Sequence, residues 1–108
     1  AVISLQHAEK AIPYLKDAMN YDPKMLPAHA ALGRAYVQVG QPDQAVAHLN
    51  LALAIDEDGS LRYQLARAYQ SLGKRELAEQ TLREYQEIQK TVQQQKLALE
   101  KEAEITPP

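Results

Sequence analysis

The sequence predicts an all-α fold: an α-α superhelix of stacked helix–turn–helix units, about two and a half of them, ending in an extended C-terminal helix. Three observations predict it. Ala11, Leu15 and Ala18 return 34 residues later as Ala45, Leu49 and Ala52, the fixed interval of a solenoid. A further 33 residues on, Ala45 and Leu49 return as Ala78 and Leu82, while Leu32, Tyr36 and Gly40 return as Leu65, Tyr69 and Gly73. Within each interval the apolar residues keep the three-and-four spacing of an amphipathic helix, and no β-branched run with strict alternation competes.

Five helices follow, over residues 8–21, 25–39, 42–55, 59–72 and 75–104. The first carries Ala11, Leu15 and Ala18, and Pro13 requires it to start within about one turn or to kink. Asp22-Pro23 ends it. The second places Leu32, Gly33, Tyr36 and Val39 on one face. Gly40-Gln41-Pro42-Asp43 then reads as a stop and a start: Gly suits a left-handed C-cap and Pro the first turn of the next helix. The third helix aligns Ala45, Leu49, Ala52 and Leu53. Asp56-Glu57-Asp58-Gly59 is expected to be a solvated turn with an N-cap for the fourth. Gly73-Lys74-Arg75-Glu76 repeats the earlier break without its proline. No break follows Leu82, so the fifth helix continues through Tyr85, Ile88 and Val92. From there Gln93, Gln94, Gln95, Lys96, Glu100, Lys101, Glu102 and Glu104 take it into solvent, and Thr106-Pro107-Pro108 stops it.

The spaced set is specific. Residues 26–58 carry His29, Leu32, Gly33, Tyr36, Ala45, Leu49 and Ala52, and residues 59–91 carry Arg62, Leu65, Ala66, Tyr69, Ala78 and Leu82. Residues 1–25 match the second half of a preceding, truncated unit through Ala11, Leu15, Ala18 and Pro23, and residues 92–108 form a helical extension and tail. This pattern resembles the tetratricopeptide repeat family, over about four fifths of the chain. The resemblance implies stacked helix pairs whose first helices line a concave side that binds proteins. His29 and Arg62 stand where the family prefers a large aromatic, and Glu57 where a closing proline is usual. One residue is also missing between the last two units, near Asp56–Ser60, which leaves the tightness of that junction open.

Composition narrows the function. A chain of 108 residues holds one compact domain, and its 45% apolar and 24% charged content is that of a folded protein. Twelve basic against fourteen acidic residues give −2, too little charge to draw the chain to nucleic acid or anionic membrane. Cysteine is absent, which removes disulfides, thiolate metal sites and a thiol nucleophile. No apolar stretch is long enough to span a membrane, and no leader is visible. Ala1 already lies inside the periodic pattern, as in a piece of a longer protein. The compartment stays open, with a soluble, cytoplasmic location slightly favoured.

Catalytic and metal chemistry find no footing. His7, His29 and His48 sit at no metal-ligand spacing and read as surface or packing residues. Gly33, Gly40, Gly59 and Gly73 cradle no phosphate. Ser4, Ser60 and Ser71 lie in no nucleophile elbow. The Asp56–Gly59 cluster lacks the ligand series of a calcium loop. The expectation is no enzyme, no cofactor and no metal.

The candidate site is therefore a surface. Opposite Leu32 and Tyr36 the second helix presents Pro27, Ala30, Arg34, Val37 and Gln38; opposite Leu65 and Tyr69 the fourth presents Ser60, Tyr63, Arg67, Gln70 and Ser71. Arg34 and Arg67, 33 residues apart, occupy equivalent places on adjacent helices, and guanidinium forks flanked by Gln38, Gln70 and Tyr63 suit a carboxylate-bearing peptide. Some family members grip the acidic C-termini of chaperones with Lys and Asn on these faces; Ala30 and Ala31 stand here instead, and that activity is not carried over. The charge is uneven: residues 26–58 hold one basic and four acidic residues, residues 59–91 six and four. The expected function is a protein-interaction module binding a protein or acidic peptide partner. The alternatives are a homodimer formed through the terminal helices, along Tyr85, Ile88, Val92, Gln95 and Leu99, or a regulatory segment of a larger enzyme.

Overall fold

In the computed structural model, which describes residues 2–105, α1 spans Val2–Tyr21, α2 Leu26–Gln38, α3 Pro42–Ala52, α4 Ser60–Ser71 and α5 Arg75–Ile105. A 3-10 turn over Leu53–Ile55 extends α3. All five expected helices are present, and their internal boundaries agree to within a few residues. The expected stop at Thr106-Pro107-Pro108 lies outside the described residues. Pro13 corrects one expectation: α1 begins six residues earlier than read, so the proline sits in its interior. Proline removes one N–H and would leave the Glu9 carbonyl without its helical donor. Glu9 and Pro13 both face solvent, where water can take that carbonyl.

Helices pair in chain order. α2 packs on α3 and α4 on α5, α1 covers α2, α3 covers α4, and the first helices α2 and α4 also touch. The recurring residues are the ones inside: Leu32, Tyr36, Ala45, Leu49, Ala52, Leu65, Tyr69 and Ala78 form one buried cluster, joined by Leu61 and Ala68. From α1, Ile12, Leu15 and Met19 pack against it. Both breaks share one design. Gly40 and Gly73 take φ of 78° and 74°, the left-handed region that glycine enters at little cost. The following N–H groups, of Gln41 and Lys74, donate back to the Tyr36 and Tyr69 carbonyls at 2.8 and 2.9 Å, closing the same C-terminal motif twice.

Gly33 is required for space. A Cβ built there would lie 2.5 Å from Cγ and Cδ2 of Leu49, a side chain with 0% exposure. Gly33→Ala is therefore expected to destabilise by about 1–3 kcal/mol, although alanine favours the helix itself by about 1 kcal/mol. Urea denaturation checks it, and a variant as stable as wild type would contradict the close packing. In the next unit Ala66 holds the equivalent place and is buried, so the restriction belongs to the α2–α3 pair.

The last helix packs at its start. Tyr85 and Ile88 are half-buried against Gly59, and the Gln89 side-chain amide donates to the Asp58 carbonyl at 2.6 Å. From Gln89 to Ala103 every residue is exposed, Val92, Leu97 and Leu99 among them. No helix among the described residues is long and apolar enough to cross a membrane.

Candidate peptide-binding face

The face formed by α2 and α4 carries a concave pocket of about 360 Å³ at the junction of the two units. Pro27, Ala30, Arg34 and Ser60 line it, together with Ile55, Asp56, Glu57, Asp58 and Leu61. Asp56, Glu57 and Asp58 escape the sequence reading because their run reads as a solvated turn, and Ile55 and Leu61 because they read only as parts of the third and fourth helices. Ala30 and Val37 require correction as exposed groove residues. Ala30 is buried and Val37 half-buried, since both belong to the packed stripe of α2. Gln38, Arg67, Gln70 and Ser71 are exposed. Gln70 lines a second hollow beside Gly73, Arg75, Ala78 and Glu79. Tyr63 leans away toward the last helix, its ring centroid 5.4 Å from that of Tyr85.

Arg34 is exposed and donates from Nη2 to the Ser60 hydroxyl at 3.2 Å, which bridges the two units. Asp58, on the pocket rim, accepts the Ser60 N–H at 2.9 Å. Hydrogen bonds from Ser60, helped by the charge of Arg34, hold the Asp58 carboxyl below the usual carboxylate range. The pocket end of the face is thus mixed in charge.

Beneath the face, the two unusual residues of the repeat turn out to be pins. Arg62 reaches back to Asp56 with Nη1 at 3.0 Å. Asp56 Oδ1 also accepts the Leu61 N–H and Oδ2 the Arg62 N–H, at 3.0 and 3.1 Å. Asp56 therefore caps the start of α4, but with 0% side-chain exposure, which corrects the solvated turn. Among the described residues Arg62 Nε has no hydrogen-bond partner, and Glu84 lies 3.8 Å away. In the preceding unit His29 is buried and bonds through Nε2 to the Pro23 carbonyl at 2.8 Å. Both residues tie their helix to the linker before it, as an aromatic would do by packing. A polar clamp holds the junction.

His29 also meets His48, Nδ1 to Nδ1 at 2.9 Å, a pairing 19 residues apart that only the α2–α3 packing creates. The His48 ring stacks on Tyr36 at 5.7 Å, and the Lys16 ammonium stands 6.0 Å over that tyrosine. Burial first, then His29 and Lys16, push the His48 imidazole below its ordinary value. Among the described residues no third metal-ligating side chain joins the pair.

Comparison with known proteins agrees with this architecture. Two family models, both described as tetratricopeptide repeat, match residues 3–61 and 59–91. The chain is 45% identical over 60 residues to cellulose synthase operon protein C of Escherichia coli strain K12, and equally to that of O157:H7. The match takes in 56% of the chain but only 5% of either relative, so the chain spans a small part of their length. No solved structure matches it. Repeats of this kind generally mediate protein–protein interaction and are typically non-catalytic. With one of these matches covering more than half of its length, and the repeated residues forming its core, the chain belongs to the tetratricopeptide repeat family.

Proposed function

We propose that this chain is a non-catalytic interaction module whose α2–α4 face receives an acidic peptide segment of a protein partner. The observation that carries the reading is the pair Arg34 and Arg67, both exposed at equivalent places on touching first helices. Guanidinium groups hold carboxylates bidentately and keep their charge. Gln38 and Gln70, exposed beside them, add amide donors and acceptors. The likeness to part of cellulose synthase operon protein C makes proteins of cellulose synthesis the first partners to test. Replacing both arginines by Glu is expected to abolish partner capture in a pull-down while stability stays within about 1 kcal/mol, because both side chains face solvent. Capture should also weaken as salt rises. Equal capture by wild type and Arg34→Glu/Arg67→Glu would move the site off this face.

A second reading, self-association, is favoured by one observation: Val92, Leu97 and Leu99 are exposed on the part of α5 beyond its packed start. A helical segment of that length is marginal in water without packing. Light scattering behind size exclusion, on the chain and on a version ending at Lys90, separates the readings. A dimer that becomes a monomer on truncation supports the seam; two monomers rule it out.

A further inference from the structure

The His29–His48 pair takes no part in the α2–α4 face, and one arrangement of protons satisfies it. The Pro23 carbonyl can only accept, so His29 donates to it from Nε2 across 2.8 Å. In the neutral ring this leaves Nδ1 of His29 as an acceptor, and His48 must donate from its own Nδ1 across 2.9 Å. A run of donors thus passes from His48 on α3, through His29 on α2, to the linker that follows α1. His48 Nε2 remains the one open lone pair of the two rings.

A first proton enters there without breaking either hydrogen bond, but its charge lands in poor company. His48 is half-buried, and it faces the Lys16 ammonium from α1, and the His29 and Tyr36 rings from α2. Among the described residues neither imidazole has a carboxylate in ion-pair contact.

The geometry points to a proton-operated latch: the neutral pair clamps α3 and the α1–α2 linker to α2, and a proton on His48 loosens that clamp and, through it, the seat of α1. The sign follows from the burial. A base that takes its proton less readily folded than unfolded contributes stability that is full above the ordinary imidazole value. That contribution falls as pH drops through about 6.5 and levels off below the depressed folded value. The latch stands independently of the groove reading, since neither Arg34 nor Arg67 belongs to it.

The test is hydrogen exchange of the α1 amides from Ile12 to Tyr21, relative to those of α4, at pH 7.5 and 5.5 with intrinsic rates divided out. It is run in a His7→Gln background, which leaves the pair as the only imidazoles, and in His7→Gln/His48→Gln. Protection of α1 should fall at the lower pH in the first protein, by at most about tenfold for one imidazole, and stay level in the second, whose amide can donate but not charge. Should the second not fold, His48→Tyr replaces it, tyrosine being the residue at the equivalent place in α1 (Tyr14). Ring nitrogen spectra at pH 7.5 should show the proton on Nε2 of His29 and Nδ1 of His48. Equal protection at both pH values, the same fall with and without His48, or a proton on Nδ1 of His29 would each overturn the latch.

Discussion

Asp56→Ala is expected to lower stability by about 3–5 kcal/mol, out of the roughly 5–15 kcal/mol typical of a domain. An ordinary lost N-cap costs about 1 kcal/mol, so the expected excess has a separate source. The Asp56 carboxylate is fully buried and accepts three N–H groups, two from the first turn of α4 and one from the Arg62 guanidinium. Truncation leaves a largely buried cation with only the half-exposed Glu84, 3.8 Å from its Nε, as counter-charge. Adding Arg62→Phe, the kind of residue the family prefers there, should recover much of the loss by removing that cation. Urea denaturation of the single and double variants checks both statements. Asp56→Ala within about 1 kcal/mol of wild type would show that the pin contributes little.

Tyr36→Ala and Leu65→Ala are the second large effect, at about 2–5 kcal/mol each. Tyr36 is 4% exposed and Leu65 2%, and each stands where its helix meets its neighbours. Tyr36 carries more than volume: it stacks on His48 and lies under Lys16 of α1, so its loss should loosen the first helix as well. In a stack where units touch only neighbours, an end helix opens before the middle. Hydrogen exchange of Tyr36→Ala should therefore show α1 losing protection ahead of α4, and loss spread evenly over all five helices would contradict this.

The fold was legible because burial follows the repeat. Ala45, Leu49 and Ala52 recur in sequence since each fills the space under a first helix, and all three are wholly buried. The glycine breaks were equally readable, because a left-handed C-cap selects one residue. The site was legible in part. Arg34 and Arg67 come out exposed as their spacing predicts, since helical periodicity assigns faces. Ala30 and Val37 do not, because the stripe packed under α2 is wider than the Leu32–Tyr36 line. Asp56 lay in a run of acids that reads as solvated, and only the return of Arg62 onto it explains its burial. The His29–His48 contact bridges two helices at a distance no single-helix pattern encodes. A cue did exist in the sequence: a histidine where the family prefers an aromatic must find polar partners once buried.

The central claim, that the α2–α4 face binds acidic peptide, is tested most directly by selecting peptides from a random display library on the wild-type chain. The selected sequences are then titrated into isotope-labelled protein and followed by amide and guanidinium shifts. The account predicts acidic peptides, shifts centred on Arg34, Gln38, Arg67 and Gln70, and no response in Arg34→Glu/Arg67→Glu. Shifts centred on α5 beyond Ile88, or binding unchanged in the double variant, would contradict it.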